Sequence, residues 1–147
     1  MSGEINMRTS IQNYAVGLAF LVALTATLGS LYFSEIVNFY PCILCWYQRI
    51  LLYPLAVILL VGWIEQDEFL PKYVLPFSIG GMLLSLYHYL IQWGLFSGGA
   101  VCAVGVPCSV RYINWAGFIT IPFLALVAFS IITILILVIQ PLHLQKE

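Results

Sequence analysis

LCWYQRILLYPLAVILLVGWI, residues 44–64, is the stretch on which the fold turns. Only one of its side chains, Arg49, is charged. About 20 such residues at 1.5 Å each match a hydrocarbon core about 30 Å thick. Three further segments have the same character: residues 14–33, 73–93 and 115–137. The outer two hold no charge, and the middle one holds only His88. Lys and Arg total 5 and Asp and Glu total 6, yet Arg49 is the sole member of either group inside a segment. Charged residues make up 7% of the chain and hydrophobic ones 63%, whereas a soluble domain spends about a quarter of its residues on charge. In lipid every backbone group must bond within its own segment, so these Val- and Ile-rich runs form helices. The expected fold is all-α, an integral membrane four-helix bundle forming a single domain over residues 1–147.

Details within the segments agree. Pro54, Pro76 and Pro122 predict kinks that neighbouring membrane helices can accommodate. Tyr14, Tyr32, Trp46, Trp63, Tyr73, Trp93 and Trp115 lie near segment ends, as interfacial aromatics do. The first run is longer than a signal-peptide core and no A-x-A site follows it, so it reads as a retained span. A net charge of -1 without a basic block argues against nucleic acid as a partner.

Four crossings place both termini and the turn 65–72 on one side, and the loops 34–43 and 94–114 on the other. Arg8, Lys72 and Lys146 against Arg49 and Arg111 favour cytoplasmic termini under the positive-inside rule. The expected location is the cell membrane, multi-pass, with Cys42, Cys45, Cys102 and Cys108 together on the extracytoplasmic face. Four thiols suit an oxidising compartment.

Cys42 and Cys45, two residues apart at a helix start, can form a small, reactive disulfide. The helix N-terminus favours a thiolate on Cys42, with Pro41 suited to the start. Cys102 and Cys108 enclose a loop with Gly105 and Pro107, which can close a disulfide and also move. Exchange between pairs proceeds through mixed disulfides. A zinc site needs paired ligands two to four residues apart; the first pair fits and the second does not, so no metal is expected. Two purely structural disulfides are the plainer reading, although a loop as small as the first stabilises little by chain entropy.

Arg49 is costly to bury, by about 2.5–3.5 kcal/mol at the membrane centre and less near the interface. It lies one and a half turns into segment two, and His88 lies as far before the end of segment three. The segments run in opposite directions, so both residues sit roughly 7–8 Å below the outer face. Cys45 and Arg49 share a helix face as i,i+4 neighbours. A thiol, a cation and an imidazole under an apolar surface suit a quinone head group: Arg49 to donate to an oxygen, His88 to supply or relay a proton. Arg49 as a snorkelling lipid anchor and His88 as a packing residue are the competing readings.

The run Pro41-Cys42-Ile43-Leu44-Cys45-Trp46-Tyr47-Gln48-Arg49 resembles the DsbB family of disulfide-forming membrane proteins. Tyr87-His88-Tyr89-Leu90-Ile91-Gln92-Trp93, followed by the second cysteine pair, resembles its shorter BdbC-type members. The resemblance implies a membrane thiol-disulfide oxidoreductase. It would reoxidise a secreted or membrane-anchored thioredoxin-like partner of the DsbA type and pass the electrons to ubiquinone or menaquinone. It also implies the division of labour: the partner attacks a Cys102–Cys108 disulfide at Cys102, Cys108 exchanges at Cys42, and Cys45 faces the quinone beside Arg49. Two departures stand out. Longer members have more residues between the second-pair cysteines, and Gln48 occupies a position where they can carry an acid. A quinone-reducing enzyme of the vitamin K epoxide reductase type and a non-catalytic scaffold with structural disulfides remain as alternatives.

Overall fold

Long apolar helices dominate the computed structural model, which describes residues 2–144, with side chains for Met7 and residues 9–139. Helix α1 spans Ser2–Leu31, α2 Ile43–Glu65, α3 Leu70–Gln92 and α4 Ile121–Leu144. Among the described residues there is no β-strand, only an isolated bridge between Trp115 and Ile119. All four helices are long and apolar enough to cross a membrane, and the chain is a multi-pass membrane protein with the expected all-α architecture. Of the cations weighed for orientation, Lys146 and the Arg8 side chain lie outside the described residues.

The helix ends explain where the chain turns. The first helical run continues through a π-helical turn, Tyr32–Ile36, so the loop that follows is shorter than hydropathy predicts. Cys42 is the N-cap of α2, with extended φ and ψ of -71° and 171°. At the far end Gln66 adopts a left-handed conformation at φ 53° and its N–H bonds to the Gly62 carbonyl, a common way to stop a helix. Asp67 then accepts the Phe69 N–H at 2.8 Å, and Pro71 sits in the first turn of α3, where its missing N–H costs nothing.

The fourth helix begins at Ile121, later than the apolar segment from Trp115. Ala116 and Gly117 both have positive φ, 52° and 82°. They form a tight reversal closed by Trp115 N–H to Ile119 O at 3.0 Å and Ile119 N–H to Trp115 O at 2.9 Å. Pro122 therefore lies in the first turn of α4, where no kink arises; Pro54 and Pro76 lie inside α2 and α3.

The helices form a ring: α1 packs on α2, α2 on α3, α3 on α4, and α4 closes on α1. Ala15, Ala19 and Ala23 bring α1 close to its neighbours, while Leu55, Leu59, Val74, Phe129 and Ile132 fill the centre. Small residues allow such approach where lipid offers no hydrophobic drive for association. Three hydroxyl side chains in the spans bond within their own helix. Thr25, Ser130 and Thr133 each donate to the carbonyl one turn back at 2.7 Å, as such residues do in helices.

Candidate active site

The start of α2, the end of α3 and the loop before α4 meet at one end of the bundle. Cys42, Leu44, Ile91 and Cys108 form a small buried cluster there, with Cys45, Cys102 and Val106 packed against it. The structure therefore brings all four cysteines together. Cys102 and Cys108 are joined in a disulfide. Cys42 and Cys45 are free thiols, sharing a hydrogen bond with sulfurs 3.2 Å apart.

Two latches hold the loop over the helix ends. Gln92 donates to the Val110 carbonyl at 3.0 Å, and Arg111 donates to the Gln92 carbonyl with its guanidinium 5.1 Å from the Trp93 ring centroid. Across the site the Tyr112 hydroxyl donates to the Tyr40 carbonyl at 3.1 Å, and its ring stacks on Phe39 at 4.7 Å. The first loop is thereby tied to the second.

His88 is 1% exposed and sits at the junction. Its Nε2 lies 3.6 Å from Cys42 Sγ and 3.2 Å from the Cys108 carbonyl oxygen. On the other ring edge Nδ1 lies 3.4 Å from Gln48 Nε2. The hydrogen bond from Cys45, then the bond from His88, outweigh burial and hold the Cys42 thiol well below its ordinary range, at about 4. Cys42 is thus the sulfur that exists as thiolate at neutral pH, the reacting form of a thiol.

Arg49 points elsewhere. Its Nε donates to Ser30 Oγ at 3.0 Å and Nη2 to the Ser30 carbonyl at 2.9 Å. The Tyr53 hydroxyl reaches the same Ser30 Oγ at 3.4 Å, and the guanidinium lies 5.3 Å from the Trp46 ring centroid. Arg49 lines a cleft of about 520 Å³ with Cys45 and Gln48. His88 is not in that wall; it lines a separate small pocket with Cys42 and Cys45. Equal depth does not bring Arg49 and His88 to one surface; Cys45 and Ile121 line both cavities, and of the two only Cys45 carries redox chemistry.

Three site residues escape sequence reasoning: Ser30, Gln48 as the neighbour of His88, and Gln92. The one available signal was at Gln48, a polar residue one turn after Cys45. Cys42, Cys45 and His88 offer ligand atoms all within 4.8 Å of one another, the one such group among the described residues. Structural zinc takes four ligands, and the second pair is held in its own disulfide, so sulfur exchange suits this set better than metal binding.

Residues 12–139 match the family model described as "Disulfide bond formation protein DsbB". The chain is 59% identical to "Disulfide bond formation protein C" of Bacillus subtilis over 117 residues, covering 79% of this chain and 85% of that protein. It is 54% identical to a "Probable disulfide formation protein C" of Halalkalibacterium halodurans, covering 87% and 93%. A "Probable disulfide formation protein" of Oceanobacillus iheyensis is 49% identical, covering 83% and 86%. No solved structure matches the chain.

Proposed function

The chain belongs to the DsbB family of disulfide bond formation proteins, and on that premise we propose that it moves electrons from an extracytoplasmic, thioredoxin-like partner of the DsbA type to a membrane quinone. Two electrons enter at the Cys102–Cys108 disulfide, pass to the Cys42–Cys45 pair and leave from Cys45. The termini and the turn between α2 and α3 lie in the cytoplasm, and the cysteine end faces outward.

The observation that carries this reading is the 520 Å³ cleft between α1, α2 and α4. Leu18, Leu21, Leu52 and Leu124 make its wall apolar, and Cys45 and Arg49 stand in it together. Leu18, Leu21 and Leu124 are also exposed, so the cleft opens on the outer surface of the bundle, the side that meets lipid. An apolar trough for a prenyl tail, beside a donor for a carbonyl oxygen, is a set of groups that fits ubiquinone or menaquinone. A bound quinone supplies an acceptor for two electrons and two protons. Ser30 fixes the guanidinium, so Arg49 presents positive charge without having to be ordered first. Cys45 gives up its electrons by re-forming the disulfide with Cys42, whose sulfur is already in contact.

The test mixes reduced purified protein with ubiquinone or menaquinone and follows quinol formation against thiol loss. One quinol per Cys42–Cys45 disulfide is expected, and none from Cys45→Ser. Thiols that persist with excess quinone, or undiminished transfer in Cys45→Ser, would remove the proposed route.

A further inference from the structure

Gln48 stands where it can govern the imidazole at the centre of the site. The Cys108 carbonyl oxygen only accepts hydrogen bonds, so His88 Nε2, 3.2 Å from it, carries a hydrogen. The Gln48 Nε2 amide only donates, so His88 Nδ1, 3.4 Å from it, presents its lone pair. The two neighbours lie on opposite ring edges, on different elements, and demand the same tautomer. Gln48 and His88 are both buried, at 5% and 1% exposure, so water does not take the place of either partner.

We propose that Gln48 is a positioning residue: it holds His88 in the Nε2–H tautomer, so that this one N–H bridges the Cys42 sulfur and the Cys108 carbonyl and seats the second-pair loop on the first pair. This goes beyond electron transfer to quinone and rests on that reading only for its kinetic consequence.

The consequence concerns how Cys42 leaves. The Cys108 thiolate attacks Cys42, the Cys42–Cys45 bond breaks, and Cys45 departs as thiolate. The Cys102 thiolate then attacks Cys108, the Cys42–Cys108 bond breaks, and Cys42 departs as thiolate. Two electrons have moved from the second pair to the first with no outside oxidant. A thiolate leaves faster when it is stabilised, and the Nε2–H, 3.6 Å from Cys42, is the donor that meets it. The same hydrogen bonds to Cys108, the residue that must approach Cys42, so leaving-group stabilisation and loop placement use one atom.

The experiment uses full-length protein in lipid nanodiscs. Imidazole nitrogens are read by 15N-histidine NMR; the chain has 2 histidines, His88 and His143, and His88→Gln identifies the site signal. Wild type is expected to show hydrogen on Nε2 alone. Gln48→Glu, similar in shape but an acceptor when ionised, is expected to bring hydrogen onto Nδ1, and Gln48→Ala to give mixed tautomers. Internal exchange is measured without quinone: oxidised protein meets dithiothreitol, acid stops the reaction, and thiols are mapped. Reduction of the first pair is expected to slow about tenfold in Gln48→Ala, the size of one hydrogen bond to a charged group. An unchanged tautomer in Gln48→Glu, or unchanged exchange in Gln48→Ala, overturns the proposal. A Gln48→Ala variant altered only in its quinone dependence also overturns it, and makes Gln48 merely a wall of the cleft. Both readouts work without quinone, so failure of quinone reduction in wild type is a separate result.

Discussion

Adjacent residues on α2 meet different neighbours. Successive positions of an α-helix point about 100° apart, so Gln48 turns to His88 on α3 while Arg49 turns to Ser30 on α1. Sulfur chemistry and the proposed quinone contact are thereby separated, with Cys45 between them. Arg49→Ala is therefore expected to raise the apparent quinone KM severalfold while leaving partner-dithiol oxidation at saturating quinone within about twofold. Steady-state kinetics with each substrate varied would show this, and an unmoved quinone KM would reduce Arg49 to a lipid anchor. Cys42 makes a pH prediction. Its thiol lies low, at about 4, and for a thiol a lowered value means that the reactive thiolate survives to lower pH. Its alkylation by iodoacetamide should stay nearly flat from about pH 8 to about pH 6, where an ordinary thiol loses on the order of a hundredfold in thiolate. In Cys45→Ala the main cause of the shift is gone, and a steep pH dependence should return.

At the scale of elements, the contact between α3 and α4 has little slack. A β-carbon added at Gly81 would run into the Phe129 ring, and Phe129 is fully buried at the bundle centre. Overpacking of this kind costs about 1–3 kcal/mol. Gly81→Ala should lower the thermal unfolding midpoint in detergent, while Gly80→Ala, whose added carbon meets only Leu51 at 4.0 Å, should not. Equal midpoints for the two would mean that α3 and α4 are packed more loosely than described. The loop before α4 is held differently, by hydrogen bonds and rings at its rim: Gln92, Arg111, Tyr112 and His88. Few of its residues enter the core, which suits the movement that the proposed exchange with a partner requires.

Across the whole molecule, α2 carries the chain from Cys42 to Glu65, a distance of about 34 Å at 1.5 Å per residue, so the cysteine loops and the turn between α2 and α3 lie on opposite sides of any bilayer the bundle crosses. In a variant lacking native cysteines, an impermeant maleimide applied to whole cells should label Val104→Cys and leave Glu65→Cys untouched until the membrane is opened. Val104 is 78% exposed in the second loop, so access is not limiting. The opposite pattern would put the redox end in the cytoplasm.

Hydropathy and charge placement were enough to find four membrane helices, because a bilayer punishes charge wherever it falls and the pattern is written along the chain. Spacing and turn parity were enough to gather Cys42, Cys45, Cys102 and Cys108 at one end. They also set the depth of Arg49 and His88, since rise per residue is a local property. Which neighbour each side chain meets was settled only by tertiary packing. Depth is one coordinate, and the rotation of α2 against α1 and α3 supplied the other, sending Arg49 to Ser30 and His88 to Cys42, Cys108 and Gln48. The start of α4 was decided in the same way: Trp115 to Ile119 are as apolar as a helix, but the Ala116-Gly117 reversal between them depends on backbone conformation, which hydropathy does not record.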